Sequence, residues 1–193
     1  MRAAAFYYDF SSPYSYLAAS RIAEVVPGAT WRPIAFGFVL QRTGRVPWSF
    51  ADDRSAHTAE IDRRAAERGL PPVRYPEGWP AESYSLAALR AALLAEERGR
   101  LAEFTHAAYA VMFAEGRALD DPAALGDAAV AAELDVDDVE RALQRQEIKD
   151  RLRDYTGEAL ERGLVGVPTV AVDGELFWGD DRLDEAAVAA GTR

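Results

Sequence analysis

Apolar and polar positions divide the chain into two strand-bearing ends and a long helical middle. Residues 3–10 are an apolar, aromatic run broken only by Asp9, which predicts a buried first strand. Ser11-Ser12-Pro13 follows. Serine is a favoured helix cap and proline a favoured first helical residue, so a helix is expected to start there. Tyr16, Leu17, Ile22, Ala23 and Val25 keep helical spacing up to Pro27-Gly28. Residues 30–36 read as a second strand, in which Pro33 points to a sheet edge or a bulge. Strand, helix and strand in such close succession predict a parallel βαβ unit.

The character changes after Gly37. Residues 37–50 read as a loop and 51–68 as a charged helix. Residues 69–80 hold Pro71, Pro72, Pro76 and Pro80 and read as a turn-rich connector. Residues 85–98 and 100–115 are strongly apolar helices. Residues 121–132 and 135–162 add more helix, with Asp121-Pro122 and Asp135 supplying cap chemistry. Two short apolar runs, 168–173 and 175–178, meet at Asp173-Gly174, a strong hairpin signal. Gly179-Asp180-Asp181 then opens a last helix over 183–190. The expected fold class is α/β: a thioredoxin-like fold with a large all-helical insertion. The thioredoxin-like domain comprises 1–38 and 157–193, and the insertion 39–156. A generic α/β sandwich with a helical lid is the alternative.

Composition narrows the chemistry. The 193 residues suit one domain, or one domain with a sizeable insertion. A formal net charge of −10 and the lack of a basic run argue against nucleic acid as a partner. Arg54, Arg63, Arg64 and Arg68 stand among Asp52, Asp53, Glu60, Asp62 and Glu67 and read as a mixed, solvated helix face. Zero cysteines exclude disulfides, thiolate metal sites and cysteine nucleophiles within the chain. His57 and His106 read as surface or helix-packing residues, so no metal site is expected. No apolar run approaches the roughly 18 residues that span a bilayer. The N-terminal apolar stretch is too short for a signal peptide, so no membrane association and a cytoplasmic location are expected.

Three segments carry candidate chemistry. The first is Ser12-Pro13-Tyr14-Ser15, between strand and helix. A helix start offers unpaired N–H groups and partial positive charge, and Ser12 adds a hydroxyl donor, so the spot suits a thiolate. Ser12 could equally be a plain helix cap. The second is Gly166-Val167-Pro168-Thr169. Pro168 reads as a strand-entry proline or as a cis-proline whose neighbour Val167 offers its backbone to an extended ligand. The third is Phe177-Trp178-Gly179-Asp180-Asp181-Arg182. It reads either as a helix start with favourable carboxylates, or as a site where helix N–H groups take a ligand carboxylate and Asp181 takes the adjacent ammonium.

Taken together and in order, Tyr8-Asp9-Phe10-Ser11-Ser12-Pro13-Tyr14-Ser15-Tyr16-Leu17, Gly166-Val167-Pro168-Thr169 and Phe177-Trp178-Gly179-Asp180-Asp181-Arg182-Leu183 resemble the 2-hydroxychromene-2-carboxylate isomerases and kappa-class glutathione transferases. Both belong to the DsbA-like branch of thioredoxin folds. The resemblance implies glutathione as cofactor. Ser12 is then the catalytic serine that hydrogen-bonds the glutathione sulfur. Pro13 and Tyr14 line the sulfur site, Val167 pairs with the cysteinyl backbone, and Asp180 and Asp181 hold the γ-glutamyl group. Arg45 takes the place of an Asn that touches glutathione in relatives, and an arginine can grip a carboxylate bidentately. Trp48 and Trp79 are candidates for the substrate wall, or packing residues.

The implied reaction is thiolate addition to, and elimination from, a conjugated, aromatic-derived small-molecule electrophile, as in aromatic catabolism. A kappa-like glutathione transferase would use the same site. A non-catalytic thioredoxin-like binding protein is a third expectation. Redox relatives have Cys-x-x-Cys where Ser12 to Ser15 stand, and hydroxyls cannot exchange with disulfides, so a disulfide oxidoreductase is not expected. Relatives of this kind are often dimers, which implies a homodimer.

Overall fold

The computed structural model describes residues 2–192. Strand β1 (Ala4–Tyr8) leads into helix α1 (Pro13–Val25) and strand β2 (Thr30–Pro33). Helices α2 (Phe36–Thr43), α3 (Ser55–Glu67), α4 (Leu86–Glu97), α5 (Leu101–Tyr109), α6 (Pro122–Ala131), α7 (Val136–Gln144) and α8 (Gln146–Glu161) follow. Strands β3 (Thr169–Val172) and β4 (Glu175–Trp178) and helix α9 (Leu183–Ala190) complete the order. This is the expected thioredoxin-like α/β arrangement, with the helices of the middle region between β2 and β3.

The four-stranded sheet has the order β2-β1-β3-β4. β2 runs parallel to β1, whereas β3 is antiparallel to both β1 and β4. Pro33 ends the edge strand, where its missing N–H leaves no ladder bond unmade. The hairpin turns at Asp173 (φ 48°) and Gly174 (φ 90°). Two successive positive φ values are what a tight two-residue hairpin demands, hence the Asp-Gly pair.

β1 is buried on both faces, which accounts for its near-continuous apolar sequence. Phe6 and Tyr8 face one core, joined by Phe10, Tyr16, Leu89, Phe104, Tyr109 and Leu152. Tyr7 faces a smaller one with Ile34, Val39, Leu164 and Ala171. The larger core is shared by the sheet and the middle helices. Phe10 meets Phe104 edge-on at 6.1 Å between ring centroids and Tyr109 at 5.1 Å. Tyr8 and Thr105 share a hydrogen bond of 2.7 Å, and the Tyr109 hydroxyl donates to the Asp9 carbonyl at 3.0 Å. Buried hydroxyls thus find partners on the facing element, as low-dielectric packing requires.

Helix caps fall where the sequence places them. Ser12, Asp121 and Asp135 accept from the N–H groups of Ser15, Ala123 and Asp138. Two elements differ from expectation. Residues 37–50 are not all loop: α2 forms, turns its buried Val39 inward, and ends at Gly44 in the left-handed conformation (φ 68°). The short amphipathic stretch was hidden by Gly37 and by the glycine and proline that follow it. Residues 135–162 are not one helix. The chain turns extended at Arg145 (ψ 129°), so α7 and α8 pack separately against α4.

Because the sheet and the middle helices share one core, Phe104→Ala should destabilise the whole protein by about 3–5 kcal/mol. Urea unfolding followed by both near- and far-ultraviolet circular dichroism should show one coincident, shifted transition.

Candidate active site

The segments that follow β1, β2 and β4, the start of α1 and the turn before α9 converge on one cleft of about 1090 Å³. The arrangement begins with Asp9, the polar interruption in the first strand. It is 1% exposed and accepts from the Ser11 N–H through one oxygen and from the Phe36 N–H through the other, both at 2.8 Å. One carboxylate therefore ties the entry of α1 to the entry of α2. Burial raises the Asp9 pKa, and the two N–H donors oppose that rise.

Ser12 caps α1. Its Oγ accepts from the Ser15 N–H at 3.2 Å and faces the Val167 carbonyl at 3.5 Å. Val167 precedes Pro168 through a cis bond. The first two sequence segments, far apart along the chain, thus meet across the cleft. Gly166 is also required: a Cβ there would collide with the Trp178 indole, which lies against its backbone. Arg45, from the turn after α2, places its guanidinium 4.9 Å from the Trp178 ring. Pro13 and Tyr14 line the cleft beside Ser12, as expected.

The third segment divides the roles that the resemblance gave to two aspartates. Asp181 is 62% exposed at the cleft edge. Asp180 is fully buried, with Oδ1 2.6 Å from Arg64 Nη1 and Oδ2 bonded to Arg68 Nη2. Its oxygens are engaged by Arg64 of α3 and by Arg68 just after that helix, and the residue also lines the cleft. The reading of Arg64 and Arg68 as solvated is corrected by the same pair. Their side chains are 18% and 16% exposed, and Arg68 also donates to the Leu17 carbonyl at 3.0 Å. They flank the buried Ile61 and Ala65 on one helical face, so the charges that obscured the amphipathic pattern are the ones turned inward.

His57 lies on that side of α3 as well. Its Nδ1 is 2.9 Å from the Tyr14 hydroxyl, and Trp48 stacks on its ring at 4.5 Å. Sequence reasoning missed this histidine, although its spacing from Ile61 and Arg64 was a usable signal. His106 instead packs edge-on against Trp31. Trp48 and Trp79 both line the cleft, and Trp79 Nε1 donates to the Ser11 carbonyl at 3.2 Å. Exposed Phe38, Phe50, Tyr84 and Leu86 give the cleft an apolar rim, while Arg90, Lys149 and Arg153 add positive charge from α4 and α8. Sequence reading assigned no role to these three cations.

A family model described as the DSBA-like thioredoxin domain matches residues 4–189. The chain belongs to that family. Within it, the chain is 27% identical over 186 residues to a 2-hydroxychromene-2-carboxylate isomerase of Sphingobium xenophagum, covering 93% of each chain. It is 27% identical over 185 residues to the Pseudomonas putida protein of the same description, covering 92% of this chain and 89% of that one. A solved 2-hydroxychromene-2-carboxylate isomerase structure superposes with a TM-score of 0.79 at 25% identity, covering 98% of this DSBA-like chain and 95% of that chain. These relatives support an isomerase. Among the described residues, no helix is long and apolar enough to cross a membrane, and no group of three His, Asp or Glu could hold a metal ion.

Asp180→Asn should cost about 3–5 kcal/mol, because it strips buried guanidinium groups of their counter-charge. Asp181→Asn, at an exposed position, should stay within about 0.5 kcal/mol of the parent. Denaturant midpoints of the two variants check the division of roles.

Proposed function

We propose that this protein is a glutathione-dependent isomerase of the 2-hydroxychromene-2-carboxylate type. The observation that carries the reading is the meeting of the Ser12 hydroxyl, at the start of α1, with the Val167 carbonyl beside cis-Pro168 in an apolar-walled cleft. A helix start favours an anion, and a hydroxyl adds a donor that can turn toward it. The chain holds no thiol of its own, which supports a borrowed sulfur and a reaction without net redox change.

The residues present fit glutathione, with one reassignment. Ser12, Pro13 and Tyr14 would surround the sulfur, Val167 would pair with the peptide backbone, and Asp181 would meet the ammonium. Asp180 serves instead as an anchor: its two arginines hold the turn that carries Asp181. Arg45, laid over Trp178, would meet a carboxylate of the tripeptide. Bound glutathione would supply the nucleophilic sulfur for addition to, and elimination from, a conjugated carbon. The Ser12 hydroxyl would donate to that sulfur and keep it ionised. Aromatic rings such as Trp48 and Trp79 would orient a flat substrate and exclude water. Arg90 and Lys149 suit a substrate that carries a carboxylate, whereas Arg153 is paired with Asp150 at 2.6 Å. A disulfide oxidoreductase role finds no support in these groups, because Ser12 and Ser15 cannot exchange with disulfides.

Purified protein should interconvert 2-hydroxychromene-2-carboxylate and its ring-opened pyruvate isomer only when glutathione is present. A thermal shift should accompany binding, worth about 2.7 kcal/mol at a hundredfold excess over Kd. Isomerisation at the same rate without any thiol would sink the reading. Ser12→Ala should cost about 1 kcal/mol of stability through the lost cap. Its turnover should fall by roughly a hundredfold through the lost donor.

A further inference from the structure

A thiol held at Ser12 must hand its proton to some group, and the serine is not that group. Its oxygen already accepts from the Ser15 N–H, and a neutral hydroxyl is a weak base. The adjacent side chains offer an acceptor. Tyr14 stands in the first turn of α1, its Oη 2.9 Å from His57 Nδ1. Trp48 fixes both rings, stacking on the imidazole at 4.5 Å with an interplanar angle of 21° and meeting Tyr14 edge-on at 5.8 Å. Tyr14, Trp48 and His57 line the same cleft as Ser12. His57 is also exposed, so it can exchange protons with solvent.

We infer that Tyr14 and His57 form a relay that removes the proton of the thiol bound at Ser12 and delivers it to water. The inference rests on the proposed use of glutathione. In the step, Tyr14 Oη accepts the proton of the S–H bond while its own phenolic proton passes to His57 Nδ1. A thiolate, an intact phenol and an imidazolium result. The imidazolium then releases its proton to solvent, and the reverse sequence reprotonates the sulfur before release. Tyr14 is the catalytic member, in contact with the sulfur. His57 acts through it.

The surroundings suit this use. The Arg64 guanidinium lies 6.0 Å from the Tyr14 ring centre and favours negative charge nearby. Glu60 on α3, Asp180 and Asp181 from the turn before α9, and the Tyr75 hydroxyl also face Tyr14. Asp180 is offset by its two arginines. Burial first, and then the carboxylates, raise the phenol of Tyr14, while Arg64 opposes them. Tyr14 therefore remains a protonated phenol at neutral pH, able to pass a proton on rather than hold a charge.

The test is the rate at which thiolate ultraviolet absorbance appears when glutathione is mixed at fixed pH with the wild-type protein, with His57→Gln and with Tyr14→Phe. His57→Gln can still hydrogen-bond Tyr14 but does not take up a proton, so a packing role survives while the relay does not. The relay changes how fast the proton leaves and not how much thiolate stands at equilibrium. In both variants the rate should fall by about a hundredfold, and added imidazole should restore it in His57→Gln. The equilibrium thiolate titration and the glutathione Kd of His57→Gln should stay close to those of the wild type. Unchanged rates in both variants overturn the relay and leave the parent function standing, as does a weakened Kd with an unchanged rate. Failure of the wild-type protein to bind glutathione overturns both.

Discussion

The buried ion pairs between Asp180 and the two arginines of α3 are the constraint on which the rest of the site depends. An unpaired carboxylate at 0% exposure would be costly, and Arg64 and Arg68, 18% and 16% exposed, supply its counter-charge. The two pairs engage one oxygen of Asp180 each. When they form, a helix from the middle of the chain is locked to the turn before the last helix. That turn carries Asp181 and follows Trp178, which covers Gly166 and lies under Arg45. One wall of the cleft is in this sense built outward from a single carboxylate.

A second buried carboxylate does comparable work on the other wall. Asp9 collects the N–H groups of Ser11 and Phe36 and so sets the distance between the starts of α1 and α2. The two acids differ in how their charge is met. Asp180 has formal counter-charges. Asp9 has only neutral donors, the backbone N–H groups of Ser11 and Phe36 and the hydroxyls of Ser85 and Ser11, which leave burial dominant and its pKa raised. The groups that hold the cleft in shape are thus polar, while its rim and much of its wall are aromatic or aliphatic. That combination suits a flat, apolar ligand with a few charged ends.

The middle helices do more than cover the sheet. They share its principal core, through Phe104, Tyr109 and Leu152, and they bring His57, Trp48, Arg64 and Lys149 to the cleft. Ser12, Val167 and Asp181 come from the thioredoxin-like part. The cleft is thus lined jointly by the thioredoxin-like part and by the middle helices.

Local rules determined much of this from the sequence alone. The two apolar runs around Asp173-Gly174, the Ser12-Pro13 helix start and the Asp121 and Asp135 caps depend on neighbours within a few residues, so they could be read directly. The absence of cysteine confined any sulfur chemistry to an outside thiol. Tertiary structure decided what depends on distant partners. It turned Arg64 and Arg68 inward, paired both with Asp180, folded α2 against α8, and placed His57 on Tyr14. The physical reason is that a charged side chain prefers water by default and turns inward only where a counterpart fixed in space offsets its desolvation. Those counterparts, Asp180 for Arg64 and His57 for Tyr14, lie 116 and 43 residues away along the chain.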